Sequence, residues 1–262
     1  MRSTDHRPAR AALRTRPPGA TALLLGAFIL VACTSHGLTV DTATPIESTT
    51  VAGQTLPRSA ALLFSEAVAL SPSDARAVLE TLPVKGRAPK TGYARNQFGD
   101  NWTDDVDVAG GHNGCDTRND ILGRDLADPA FQADTNHCVV LSGTLADPYT
   151  GQTIDFVRGK STSNAIQIDH AVALSDAWQK GAQQLTPRER ANLANDPRNL
   201  LAVDGPANQQ KSASDAASWL PPNESFRCTY VVKQIEVKAA YSLWVTQAEK
   251  DAMIRVLDTC AH

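Results

Sequence analysis

The segment Ala165-Ile-Gln-Ile-Asp-His170 decides the fold, because its apolar residues alternate as in a β-strand and it ends on an acid and a histidine. A second short strand is predicted at Leu200-Leu-Ala-Val203. The turn residues Asp204-Gly205 end that strand and lead into a helix that carries Asn208. This order of strand, strand and helix predicts a small unit in which the strand-end acid and histidine lie near the helix.

The residue types at these positions suit metal-assisted hydrolysis. Asp169 offers hard oxygen ligands to a divalent cation, and His170 can take a proton near neutral pH. Asn208 can add a second, neutral oxygen to the same cation, which leaves positions open for water and phosphate oxygens. Each residue also has an ordinary structural explanation: an Asp-His pair can be a hydrogen-bonded structural pair, and an asparagine can start a helix or a turn.

The full ordered set of motifs resembles the secreted HNH (ββα-metal, His-Me finger) endonucleases, and more narrowly those related to the C-terminal nuclease domain of GmrSD-type restriction enzymes. The resemblance covers roughly residues 80–260. Its motifs are Leu82-Pro-Val-Lys-Gly-Arg-Ala-Pro89, Cys115-Asp-Thr-Arg-Asn119, Ser142-Gly143, Ile168-Asp-His-Ala-Val-Ala-Leu174, Asn195-Asp-Pro-Arg-Asn-Leu-Leu-Ala-Val-Asp204 and Asn208-Gln-Gln-Lys211.

The resemblance implies a role for each matching residue. His170 matches the general base that activates water, and Asp169 and Asn208 match the metal ligands. Asn199 matches the central asparagine that holds the histidine loop in place. Lys211 matches a basic residue near the scissile backbone, although a solvated surface lysine is the simpler reading of that residue alone.

Further expectations concern cofactor and substrate. An Asp–Asn ligand pair suits Mg²⁺, or another divalent cation such as Mn²⁺, better than Zn²⁺. The implied substrate is nucleic acid, with DNA favoured over RNA. Arg118 and Arg198 are candidates for phosphate contacts, and the alternative for Arg118 is pairing with Asp116 or Asp120 on its own helix.

The net charge of the chain limits how it could bind nucleic acid. Without residues 1–32, which hold five arginines and Asp5, the 25 basic and 28 acidic residues become 20 and 27, a net charge of −7. A chain this acidic does not attract a polyanion through its bulk charge, so a cation or a local basic patch must do so. The stretch from Lys85 to Arg95, in which no acid occurs, is the natural place for phosphate contacts. The acidic balance also favours the alternative function, a catalytically silent cell-surface binding module that retains the HNH fold.

The N-terminus has the layout of an export signal. Arginines precede an apolar run from Ala20 to Ala32 that is too short to span a bilayer comfortably. Leu-Val-Ala-Cys33 resembles a bacterial lipobox, which predicts a lipoprotein-type signal peptide over 1–32 and lipidation of Cys33; a plain signal peptide is the alternative. We expect an exported, extracellular or cell-surface lipoprotein whose contact with the membrane is through this anchor.

A Thr-, Ser- and Pro-rich tether is predicted over 33–57, and the nuclease domain over 58–262. Its predicted class is α+β: the ββα-metal finger lies in a mostly helical domain with a β-hairpin around Asp147-Pro-Tyr-Thr-Gly151. Capping boxes begin helices at Thr186 and Thr246, and a long helix is predicted from Asn223 to about Trp244.

Four cysteines remain after Cys33, and an even number in an exported chain predicts two disulfides. Three pairings are possible. We favour Cys115–Cys138 and Cys228–Cys260, because each would tie together a local loop or helix pair. A four-thiolate zinc site is disfavoured because no Cys-x-x-Cys spacing occurs.

Overall fold

Residues 70–160 and 162–260, which the computed structural model describes, contain both α-helices and short antiparallel strands. The α-helices are α1 (Pro72–Thr81), α2 (Thr117–Asp125), α3 (Leu174–Gln179), α4 (Pro187–Asn195), α5 (Gly205–Lys211), α6 (Arg227–Ala240) and α7 (Gln247–Leu257). The strands are β1 (Ala127–Phe131), β2 (Val140–Ala146), β3 (Thr153–Val157), β4 (Ile166–His170) and β5 (Leu200–Asp204). This content confirms the predicted α+β class. The predicted signal segment 1–32, Cys33 and the tether 33–57 lie outside the described residues.

The strands form two separate antiparallel sheets. The order in the first sheet is β1-β2-β3, and its β2–β3 hairpin is the one predicted around the Asp147–Gly151 turn. The second sheet pairs β4 with β5, with Ile166 opposite Asp204 and His170 opposite Leu200. Helix α5 follows β5 without a linker, so β4, β5 and α5 form the predicted ββα finger.

Gly205 sets how closely α5 approaches β4. Its N–H donates to the carbonyl oxygen of Ala165 at 2.9 Å. A Cβ atom at this position would lie 2.2 Å from the carbonyl oxygen of Asn164, so no larger residue fits without displacing backbone. Asp204 caps the helix by accepting from the N–H of Ala207 at 2.8 Å. The glycine and the cap together hold the first turn of α5 against the strand.

Helix starts follow the capping signals in the sequence. Thr186 and Glu189 form a complete capping box at the start of α4, and Thr246 and Glu249 form another at the start of α7. Ser71 accepts from the N–H of Asp74 at the start of α1. These local signals place the N-termini of α1, α4 and α7, whereas α3 and α6 begin without a side-chain cap.

The predicted long helix from Asn223 to about Trp244 is wrong at both ends. A short 3-10 turn precedes α6, and α6 itself ends at Ala240. Ser242 adopts a positive φ of 52°, which turns the chain out of the helix. Val245 then forms a parallel bridge with Val84. The residues that follow α6 pair with the segment around Val84, so the helix does not continue through them.

Packing of α1 against α6 and α7 forms the largest apolar cluster. Leu79, Tyr230, Ile235 and Met253 are fully buried there. Full burial of such side chains contributes about 1.5–3 kcal/mol each relative to exposure. Ala171 and Leu201 of the finger belong to the same cluster, so this helical layer supports the strand ends that carry Asp169 and His170.

Six charged side chains form an ion-pair network that we call the buried charge cluster. Its members are Arg87, Asp176, Lys180, Asp215, Lys238 and Glu249. The Lys180 ammonium lies 2.8 Å from Asp176, 2.8 Å from Asp215 and 2.6 Å from Glu249. Three bases balance three acids, which avoids an uncompensated buried charge. Asp176 belongs to α3 and Lys180 follows it directly, Lys238 and Glu249 belong to α6 and α7, and Asp215 follows α5. Arg87, from the segment after α1, joins the cluster at its more exposed edge. The cluster thereby joins the segments that follow β4 and α5 of the finger to the C-terminal helices.

Both disulfides have the pairing favoured from the sequence. Cys115 is bonded to Cys138, and Cys228 is bonded to Cys260. The first joins the segment before α2 to the segment before β2, and the second joins α6 to the end of the chain just after α7.

Within the described residues, the helices are too short or too polar to cross a lipid bilayer.

Candidate active site

His170 lies at the end of β4, where it is buried and held from two sides. Its ring stacks on Trp102 with 5.7 Å between ring centroids and 13° between the planes. Its Nε2 lies 2.9 Å from the carbonyl oxygen of Ala194. A carbonyl can only accept, so Nε2 carries the proton and the lone pair is on Nδ1. No described residue forms a hydrogen bond with Nδ1.

The surroundings of His170 favour the neutral ring. Burial and the positive charge of Arg95 lower the pKa of His170 to about 3, although the Ala194 carbonyl acts in the opposite direction. The imidazole is therefore uncharged at neutral pH. An uncharged ring with a lone pair on Nδ1 is able to accept a proton.

Asp169 is ion-paired inside the protein. The Lys211 ammonium lies 3.1 Å from its Oδ1 and 3.0 Å from its Oδ2. The Tyr149 hydroxyl donates a hydrogen bond to Oδ2. Burial and the charge of Asp169 raise the pKa of Tyr149 well above its usual range, so the phenol keeps its proton and remains a donor. The carboxylate is thereby fixed in orientation.

Asn199 joins the residues after His170 to the end of α4. Its Oδ1 accepts from the N–H of Val172 at 2.8 Å, and its Nδ2 donates to the carbonyl oxygen of Leu193 at 3.2 Å. Its own carbonyl oxygen accepts from the N–H of Ala171 at 2.7 Å. A fully buried amide with both ends bonded in this way fixes the backbone on which His170 is carried.

Asp169, His170 and Asn208 line one polar pocket of about 370 Å³. The other residues that line it are Tyr93, Arg95, Gln167, Ile168, Ala173, Leu174, Ser175, Ser212 and Ala213. The Asn208 Nδ2 donates to the Gln167 Oε1 at 2.9 Å, which leaves the Asn208 Oδ1 without a hydrogen-bond partner among the described residues. The structure thus brings together three of the residues predicted from the sequence.

This donor set fits a hydrated divalent cation of the magnesium type. Asp169 has acceptor positions beyond those used by Lys211 and Tyr149, and the Asn208 Oδ1 lines the same pocket. Mg²⁺ commonly keeps several waters and takes only one or two carboxylates from a protein. Among the described residues no group of three His, Cys, Asp or Glu side chains is placed to hold a metal, so a zinc-type cage is not formed there.

The three basic residues expected to contact substrate do not line this pocket. Lys211 is fully buried against Asp169 rather than solvated, because its ammonium neutralises that carboxylate. The Arg118 Nη2 lies 3.3 Å from the Ile166 carbonyl oxygen. Arg198 is paired with Asp196 at 2.6 Å. In this arrangement Lys211 and Arg198 are ion-paired with acids of the protein, and Arg118 lies against a backbone carbonyl.

Arg95 is the basic residue that does line the pocket. It is exposed, it forms no ion pair with a described acid, and its charge lowers the pKa of His170. It lies at the end of the acid-free stretch that the sequence marked for phosphate contacts. The acid-free stretch therefore indicated Arg95 as a phosphate-contact residue, whereas nothing in the sequence indicated that Trp102 or Tyr149 belongs to the site.

The finger lies within a segment that matches a known protein family. The model of the family described as GmrSD restriction endonucleases, C-terminal domain, matches residues 116–256, a range that includes β4, β5 and α5. An uncharacterized secreted protein of Arthroderma benhamiae is 38% identical over 192 residues, which cover 72% of this chain and 86% of the relative. No solved structure matches the chain.

Proposed function

Because the chain belongs to the family of the GmrSD restriction endonuclease C-terminal domain, we propose that it is a metal-dependent endonuclease. Its substrate is nucleic acid, with DNA favoured over RNA, and the bond hydrolysed is the phosphodiester. The proposal depends above all on one observation: the ring of His170 shares a pocket with the oxygen donors Asp169 and Asn208.

In this proposal His170 is the general base. Its Nδ1 takes a proton from a water molecule that attacks phosphorus. The Ala194 carbonyl and Trp102 hold the ring in place, and Asn199 fixes the backbone on either side of Ala171. Arg95 pairs with a substrate phosphate; this neutralises one of the charges that lower the pKa of His170 and so makes the ring a stronger base.

Asp169 and Asn208 would hold the divalent cation, Mg²⁺ or Mn²⁺. When bound, the cation would stabilise the negative charge that develops on the phosphate and the leaving oxygen. Asp169 has a fixed orientation because Tyr149 and Lys211 both bind its carboxylate. Such preorganisation lowers the cost of assembling the site.

We further propose that the protein works outside the cytoplasm, anchored through a lipid on Cys33. The basic and apolar segments before Cys33 support an export signal. Two disulfides are typical of oxidising compartments. The name of the Arthroderma benhamiae relative describes that protein as secreted.

The alternative is a catalytically silent surface-binding module. The net charge of −7 without residues 1–32 favours it, and so does the ion pair that already occupies Asp169. Cleavage assays separate the two functions. The purified protein, incubated with supercoiled plasmid and MgCl₂, should produce nicked and linear DNA, and EDTA should abolish cleavage.

A parallel incubation with single-stranded RNA of matched nucleotide content tests the substrate preference. Intact plasmid at micromolar protein with either Mg²⁺ or Mn²⁺, while the circular dichroism spectrum shows a folded protein, would contradict the endonuclease and favour the silent module.

A further inference from the structure

Lys211 is a buried cation whose partner is a proposed metal ligand. Its ammonium is fully buried and lies within 3.1 Å of three acceptors: both Asp169 carboxylate oxygens and the carbonyl oxygen of His170. An ammonium group has three N–H donors, so this set uses all of them. Asp169 is the acid within ion-pair distance of Lys211 in the described part of the chain.

Burial makes this pairing strong. An uncompensated charge in the interior is costly, so neither Lys211 nor Asp169 is stable there alone. The Tyr149 hydroxyl adds a hydrogen bond to Oδ2 without adding charge. The Asp169 carboxylate is therefore already charge-balanced before a divalent cation binds.

We infer that Lys211 is an internal counter-cation that competes with the divalent cation for Asp169. This inference rests on the proposed function, because it takes Asp169 to be a ligand. Without metal, Lys211 pairs with the carboxylate and orients it. With a metal on Asp169, the ammonium would lie close to a doubly charged ion, and their repulsion would weaken binding.

The size of this effect follows from Coulomb's law. Even with the full dielectric screening of water, one positive charge about 5 Å from a doubly charged ion weakens its binding by about tenfold. The interior screens less than water does, whereas dissolved salt screens more, so about tenfold is the expected size of the effect. Removal of the Lys211 charge should therefore tighten metal binding and, at the same time, destabilise the metal-free protein.

Isothermal titration of the purified protein with MgCl₂ and with MnCl₂ tests the inference. Lys211→Gln removes the charge but keeps a hydrogen-bond donor, and Lys211→Met removes both. We expect a Kd about tenfold lower than that of the wild type for either variant, and a larger increase of Tm on addition of the metal. Lys160→Met removes an exposed charge that does not line the pocket, and its Kd should equal the wild-type value.

Asp169→Asn separates failure of the inference from failure of the proposed function. If Asp169→Asn abolishes binding while the folded Lys211 variants bind no more tightly than the wild type, the competition is overturned and the metal site remains. If Asp169→Asn binds as the wild type does, or if no variant binds either metal, the metal site itself is overturned, and the inference with it.

The wild type provides a readout that does not depend on folding of the variants. In lysine-labelled protein, the side-chain ¹³C signals of Lys211 should shift during a Mg²⁺ titration. Signals that stay in place while the cation binds would overturn the inference.

Discussion

The side-chain oxygen of Asn199 accepts a hydrogen bond from the backbone N–H of Val172 at 2.8 Å, two residues beyond His170. Because Asn199 is fully buried, its loss would leave that N–H without a partner in the interior. The position of the proposed base therefore depends on a residue that does not line the pocket.

Asn199→Ala should lower both stability and cleavage. The unpaired N–H of Val172 and the other lost bonds should reduce the free energy of unfolding by about 1–3 kcal/mol, as measured by urea denaturation. Cleavage per folded molecule should fall as well, because the ring of His170 loses its support. Asn192→Ala, at a half-buried position of α4 where the side chain likewise accepts from one backbone N–H, that of Asp107, is the matched control. Full cleavage by folded Asn199→Ala would contradict the positioning role.

His170→Ala should reduce the cleavage rate by a hundredfold or more, on the order of the contribution of a general base. Single-turnover cleavage of a labelled duplex measures this effect. His112→Ala changes a histidine in an exposed loop and should retain the wild-type rate. A rate for folded His170→Ala equal to that of His112→Ala would exclude His170 as the base.

Arg95→Ala should weaken substrate binding, because the basic side chain that lines the pocket is lost. We expect a higher KM and a shallower dependence of log KM on log salt concentration, by about one unit of slope. Arg95→Lys should restore part of the slope. Arg76→Ala, which removes an arginine paired with Asp258, should leave both quantities unchanged. An unchanged salt slope in Arg95→Ala would argue against a phosphate contact.

The lowered pKa of Asp215 predicts that the free energy of unfolding falls in acid. Burial alone would raise the pKa of Asp215, but the hydrogen bond and charge of Lys180 and the charge of Arg87 lower it to about 2, from an ordinary value of 3.8. A carboxyl whose pKa is lower in the folded state stabilises the protein fully above the unfolded value and loses that contribution as the pH falls from 3.8 to about 2. The contribution amounts to about 2 kcal/mol.

Asp215→Asn should therefore be several kcal/mol less stable than the wild type at pH 7, and this difference should shrink by about 2 kcal/mol between pH 5 and pH 2. Urea denaturation across that range measures the difference. Asp251→Asn, at an exposed position of α7, should show no such trend. A constant difference between wild type and Asp215→Asn would mean that the cluster does not lower the pKa of Asp215.

Much of the finger and the starts of two other helices could be predicted because the signals are local. The alternation in β4, the Asp204-Gly205 turn and the two capping boxes each fall within a few residues of sequence. Strand β1 was not predicted, because Asp128-Pro129 within it is typical of a turn. Its bulged pairing with β2 accommodates both residues at the sheet edge.

Sequence patterns did not predict which charged residues would lie in the interior. Lys211 reads as a surface lysine until α5 is packed against β4 and Asp169 is found beside it. Tyr149 reaches Asp169 from a turn 20 residues earlier, and only the tertiary fold brings the two together. The buried charge cluster joins Arg87 to Asp215 across 128 residues, a separation at which no spacing rule applies.

The two disulfides lie outside the finger. The segment between Cys138 and Cys228 contains β4, β5 and α5 and has no disulfide of its own. Within that segment, the geometry of the proposed site is thus maintained by non-covalent packing. We expect dithiothreitol to lower the melting temperature while leaving the rate of plasmid nicking at moderate temperature unchanged. Redox conditions would then control the stability of the protein and not its rate of cleavage.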